Sequence, residues 1–158
     1  MLAELEAAQG LLKYLHHHVK IELEGLDEAG LNWVPAGVAA TNSLYGLTLH
    51  IATSQVAFAG ALAHQKLRLD IPGLAEVETV FQLRGTSVEQ TKTILRQAAE
   101  LTNEVFENVT LEQLDAETTL PGGGKGTGHS WVQLMVMHTG EHMGHMSLTR
   151  QLYQSRQN

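Results

Sequence analysis

The chain contains no cysteine. That removes Cys-ligated zinc, iron–sulfur clusters, a cysteine nucleophile and any disulfide, and it suits a reducing, cytoplasmic setting. Positive charge is also scarce. Ten Lys and Arg stand against 17 Asp and Glu, a formal net charge of −7, and no run concentrates the positive minority. Nucleic acid and anionic lipid are therefore not expected partners. No apolar run approaches the roughly 20 residues that a membrane span needs. The start, Met1-Leu2-Ala3-Glu4-Leu5-Glu6, is acidic and amphipathic, unlike the basic start of a secretory signal. Nor is there a convincing alternation of apolar and polar residues to suggest a strand.

What is present is an ordinary globular composition, 43% apolar over 158 residues. A chain of that length can bury about 68–70% of its unfolded surface without covalent staples, and it reads as one domain spanning 1–158. Four segments have helical periodicity. The first covers about 2–26, with Leu5, Leu12, Val19 and Leu23 on one face. The second begins at the capping candidates Thr41-Asn42-Ser43 and runs to about His64. The third covers about 86–109. Thr110-Leu111-Glu112-Gln113 follows as a capping box for a short turn. The fourth runs from about Ser130 to Tyr153. Leu31-Asn32-Trp33-Val34-Pro35 should be extended or turning as it approaches its proline. Residues 66–85 read as a long connection, and 121–128 as a glycine-rich loop. Four long helices make an all-α four-helix bundle, and connections this long suit crossover topology.

Nine residues are histidine, and three of them share a face of the fourth helix. With His138 at 0°, His142 falls near 40° and His145 near −20°, on a stripe expected to carry the helix's apolar residues. A buried imidazole without a partner costs free energy, so these rings must share hydrogen bonds, charge or a metal. His138 and His142, spaced i, i+4, form the two-ligand arrangement of helical zinc sites. His50 is the best third ligand, projecting from the second helix with Leu47, Ser54, Ala57 and Ala61. Glu141 flanks the stripe, where it would orient an imidazole or act as a base. His16 lies in the first helix's apolar stripe, either behind the site or as a satisfied core histidine. His17, His18, His64 and His129 read as surface residues. Trp131, two turns before His138, is placed to line a cavity.

Other plans fail. No His-Glu-x-x-His occurs, and no histidine has Glu three residues before it, which excludes the metalloprotease and di-iron bundle signatures. Gly122-Gly123-Gly124-Lys125-Gly126-Thr127 is not a phosphate loop. Thr119 replaces the first glycine, Gly126 stands where Ser or Thr is needed, and no strand precedes it.

Two blocks carry a family resemblance. One is Asn32-Trp33-Val34-Pro35 with Thr41-Asn42-Ser43-Leu44 and Leu49-His50-Ile51-Ala52. The other is His138-Thr139-Gly140-Glu141-His142-Met143-Gly144-His145, leading to Leu148-Thr149-Arg150-Gln151-Leu152. With the Leu120-Pro121-Gly122 loop before the last helix, the chain resembles the DinB/YfiT-like superfamily of metal-dependent bundles over nearly its whole length. The resemblance implies a four-helix bundle with long crossover connections, often a homodimer. It implies a metal held by His50, His138 and His142, with His145 at a position that varies between Gln and His in relatives. It also implies thiol-dependent transfer or isomerisation of small-molecule substrates.

Zinc or nickel suits three imidazole nitrogens. Lacking cysteine, the chain would draw any thiolate from a small-molecule cosubstrate, to be transferred to an electrophilic substrate. Water would serve instead for hydrolysis, with Glu141 or His145 carrying the proton in either case. The competing expectations are a closed, non-catalytic metal site in a stress-response protein and a metal-free histidine cluster.

Overall fold

The computed structural model describes residues 1–37, 41–76, 79–120 and 123–156. Four long helices dominate: α1 (Ala3–Leu23), α3 (Leu44–Leu62), α4 (Val88–Asn108) and α6 (Gly128–Ser155). The short helices α2 (Glu28–Asn32) and α5 (Leu111–Asp115) and the strands β1 (Glu117–Thr119) and β2 (Lys125–Thr127) lie between them. Hydroxyl caps set several starts. Ser43 accepts the Gly46 N–H, Ser87 that of Gln90, and Thr127 that of Ser130, each worth about 1 kcal/mol. The capping box of Thr110 and Gln113 forms as expected. None of the described helices is long and apolar enough to cross a membrane.

Side-chain contacts give the direction of each helix. Glu4 meets His129 at one end of α1, and Arg150 donates to the Glu24 carbonyl at the other, so α1 and α6 run parallel. Thr48 reaches Met146, whereas Phe58 stacks on Trp131, so α3 and α6 are antiparallel. Tyr45 lies against Gly85, just before α4, and Gln55 bonds Thr102, so α3 and α4 are parallel. The order is up-down-down-up. Two consecutive parallel helices require their link to recross the bundle, so the expected crossover is the segment joining α3 to α4. That segment carries Leu67, Leu69, Ile71, Leu74, Val80 and Phe81 back onto the core, and it turns through short 3-10 helices at Leu74–Glu76 and Val80–Gln82.

The core falls into two clusters. One lies around Leu23, Leu31, Leu44, Leu49, Ile51 and Met146, the other around Leu5, Leu62, Phe106, Leu114 and Met135. Gly128 allows the close start of α6: a Cβ there would lie 2.6 Å from the Leu114 Cα. Between the clusters a polar chain crosses the interior. Thr102 donates to the Ala98 carbonyl, Gln55 Nε2 donates to Thr102 Oγ1, and His16 Nε2 stands 2.7 Å from Gln55 Oε1.

Two local expectations change. Leu31 and Asn32, expected to be extended or turning, end a short helix, because Asp27 caps the Gly30 N–H and opens that helix before the proline. Residues 117–119 and 125–127 pair as an antiparallel ribbon. Its strands are three residues long, too short to show alternation in sequence. Pro121 and Gly122 of the expected loop lie outside the described residues.

Candidate metal centre

The three histidines meet. Ring nitrogens of His50, His138 and His142 all lie within 4.8 Å of one another, with ring centroids 4.4–4.8 Å apart. His138 Nε2 and His50 Nε2 are 3.0 Å apart. On α6, the i, i+4 spacing puts His138 and His142 one turn apart. The antiparallel crossing of α3 brings His50 between them.

The histidine stripe is not the middle of the buried face. The core residues of α6 are Trp131, Met135, Thr139, Met146 and Tyr153, which turns the buried centre about 60–80° away from His138. The three rings therefore sit at its edge, half-buried. That position leaves them reachable while still removing much of their solvent.

The surroundings disfavour charge on these rings. Burial, followed by the neighbouring His142 and His138, lowers the pKa of His50 from 6.5 to about 4. His138 is lowered by burial and then by His142, with Glu141 acting weakly the other way. His142 is lowered by burial and then by His145, again against Glu141. Neutral imidazoles are the form that binds a metal. Hydrocarbon walls enforce this: Phe81 packs 4.9 Å from His50, and Phe58 presents its face edgewise to His138 at 5.8 Å.

The remaining expected residues divide. His145 is exposed and its Nδ1 lies 3.2 Å from His142 Nδ1. Glu141 is exposed and makes its effect on the two α6 histidines only through charge. Trp131 is buried, stacked on Phe58 and bonded through its indole N–H to Thr118. His16 is a satisfied core histidine. It bonds Gln55, which lies five residues and about 140° around α3 from His50. His129 is not a free surface residue: its two nitrogens contact Glu4 and Asp115, and these carboxylates raise its pKa. His18 is half-buried against Tyr14. Phe81 was not visible as a site residue, because it stands in a connection with no periodicity.

The chemistry of this donor set fits a divalent cation. A tetrahedral zinc with Zn–N distances of about 2.0–2.1 Å places ligand nitrogens about 3.3 Å apart. The His50–His138 nitrogen pair already lies at 3.0 Å. His145 touches His142 through ring nitrogens, the kind of contact that outer hydrogen-bond partners of metal ligands make.

A family model for the DinB superfamily matches residues 11–146. The chain belongs to the DinB superfamily. Solved structures share its fold. A conserved protein from Enterococcus faecalis aligns with a TM-score of 0.75 at 18% identity, over 96% of this chain and 97% of that one. YfiT from Bacillus subtilis, described as a probable metal-dependent hydrolase with an unusual four-helix bundle topology, aligns at 0.67 and 14% identity, over 94% and 87%. The mycothiol-dependent maleylpyruvate isomerase aligns at 0.64 and 13% identity, covering 92% of this chain but 63% of the isomerase. No curated protein matches the sequence. At these identities the structures establish the fold of this DinB protein and leave its reaction to its own residues.

Proposed function

We propose that this DinB protein is a metal-dependent enzyme that joins a small-molecule thiol to an electrophilic substrate. His50, His138 and His142 are its metal ligands. The observation that carries this reading is the convergence of three half-buried, neutral imidazoles, with His145 held outside the cluster rather than closing it. Structural zinc sites are saturated, whereas catalytic ones keep a position open. A divalent cation such as zinc or nickel, bound there, supplies a low-pKa nucleophile from a thiol or a water.

The chain's own residues do the rest. His145 holds His142 by a ring nitrogen and orients the ring. Phe58 and Phe81 keep water from the inner side of the rings. Glu141 and His145, both exposed beside the cluster, carry protons to and from solvent. The absence of cysteine assigns the thiol to a cosubstrate. Hydrolysis is the second reading, supported by the fold shared with YfiT.

Metal analysis of untagged protein tests the first half. Wild type should hold close to one divalent ion per chain, and His50→Ala and His142→Ala should lose most of it. Unchanged metal content in both variants would refute the ligand assignment. For the second half, metal-loaded protein is screened with common low-molecular-weight thiols and a chloronitroarene. Thiol-dependent product that disappears with chelation supports transfer. Turnover of a small ester without thiol supports hydrolysis.

A further inference from the structure

The face of α3 that carries His50 continues past the histidine cluster. Ala57 and Ala61 lie seven and eleven residues further on and within about 20° of it, so they sit about 10 and 16 Å along the helix. There the bundle opens into a cleft of about 550 Å³ between the end of α3, the segment that follows it, and β1. Ala57 and Ala61 are small, so that side of the cleft recedes.

The opposite side is basic. His64, Lys66 and Arg68 all line the cleft and all are exposed. Residues 66–68 carry no helix or turn, and alternate positions on such a stretch share a side. The ion pairs among the described residues use none of the three. Among the described residues no carboxylate lines this cleft, although the chain as a whole carries a net charge of −7. Two cations and an imidazole thus line one cavity in an acidic protein, although Arg68 also borders the neighbouring cleft that holds Asp70, Glu100, Glu104 and Glu107.

The backbone holds this strip firmly. α3 ends in a Schellman motif: Gln65 N–H donates to the Gly60 carbonyl at 2.8 Å and His64 N–H to that of Ala61 at 3.2 Å. His64 takes the left-handed position with φ +54°, where glycine is the usual occupant. A Cβ on Gly60 would lie 2.7 Å from the Gln65 carbonyl oxygen, so the turn sits flush on the helix. An imidazole kept in a conformation glycine adopts more cheaply is the kind of strain that gathers at binding sites.

Side-chain contacts join the cleft to the histidine cluster. Thr118, in the cleft wall, accepts the Trp131 indole N–H at 2.6 Å. Trp131 stacks on Phe58 at 6.3 Å, and Phe58 meets His138 at 5.8 Å. Thr118 in the cleft wall is thus linked through the buried Trp131 and Phe58 to the rings.

We propose that this cleft is an anion subsite in which His64, Lys66 and Arg68 seat the carboxylate or phosphate of a small organic molecule. As a subsite for the reacting substrate it rests on the metal-enzyme reading above; as an anion site it does not. Planar Arg68 and the point charge of Lys66 suit an oxyanion from two directions.

The test is an NMR titration of chelator-treated protein with glutarate and, separately, with inorganic phosphate, in 100 mM NaCl to screen diffuse attraction. Saturable shifts are expected at the amides of Ala61, His64 and Lys66. Which anion binds more tightly identifies the group. The double variant Lys66→Gln/Arg68→Gln should weaken binding at least tenfold. Lys13→Gln/Lys20→Gln, altered on α1, should bind as wild type does. Lys13, Lys66 and Arg68 are exposed and Lys20 is half-buried, and thermal unfolding checks that each variant is folded. Absence of saturable binding by either anion, or equal binding by the Lys66/Arg68 variant, overturns the proposal. His50→Ala should still bind the anion. If wild type binds the anion but no metal, the metal reading fails and the subsite stands.

Discussion

Acidification of the metal-free protein should destabilise it through the histidine cluster. The folded protein keeps His50 neutral down to about pH 4, whereas the unfolded chain protonates it near 6.5. Below 6.5 the unfolded state therefore binds more protons, and stability falls as pH drops until the folded ring also protonates near 4. A fall from 6.5 to about 4 would be worth roughly 3 kcal/mol for a fully shielded group. His50 is half-exposed, and solvent screening reduces this to about 1–2 kcal/mol. Charging a second ring is opposed as well: two like charges 4.8 Å apart, the outer limit of the cluster, repel by about 3.5 kcal/mol at an effective dielectric of 20. His129 acts with the opposite sign. Its pKa is raised by Glu4 and Asp115, so its contribution is present at low pH and fades as pH rises through its folded pKa. The assay is urea unfolding of chelator-treated wild type and His50→Gln at steps from pH 7 to 4. The shared carboxylates and His129 cancel in the difference. Wild type should lose about 1–2 kcal/mol more than His50→Gln across this window. Parallel curves would refute the reasoning, because they would mean that the rings are neither desolvated nor coupled as the structure places them. Zinc affinity should fall over the same window, since its ligands must be neutral.

Two further outcomes follow from the packing. Gln55→Leu strands the His16 Nε2–H, while Thr102 loses a donor but keeps its bond to the Ala98 carbonyl, and should cost about 1–3 kcal/mol in chemical denaturation. The conservative Gln55→Glu would offer an acceptor to His16 but no donor to Thr102, and should fall between the two. The glycines of α6 should diverge. Gly128→Ala forces a Cβ against the Leu114 Cα at 2.6 Å and should cost about 1–3 kcal/mol. Gly144→Ala meets nothing within 4 Å and should stabilise by roughly 0.5–1 kcal/mol, seen as a higher thermal midpoint. Gly144→Ala failing to stabilise would show that this open helical position is occupied in solution.

Much of the fold was legible because helices advertise themselves locally. Periodic leucines in α1 and hydroxyl caps at Ser43 and Thr110 act within one or two turns of chain. The hairpin was not legible, because three-residue strands carry no period and are held by Trp131, which reaches Thr118 from another element. The cluster divides the same way. The His138–His142 spacing is a property of one helix. Phe81 beside His50 and the basic strip after α3 depend on how the α3–α4 link crosses the bundle.

The amino-acid order by itself determined four long helices, the chemical kinds the protein must do without, and two imidazoles on one turn of α6. Those are consequences of backbone hydrogen bonds and side-chain period, which need no partner. Only the tertiary structure decided that α3 passes α6 antiparallel, so that His50 enters between His138 and His142, and that the rings sit at the rim of the core and not in its middle. Helix phase is set by which neighbours compete for the buried face. Met135, Thr139 and Met146 took it, and left the histidines half in water.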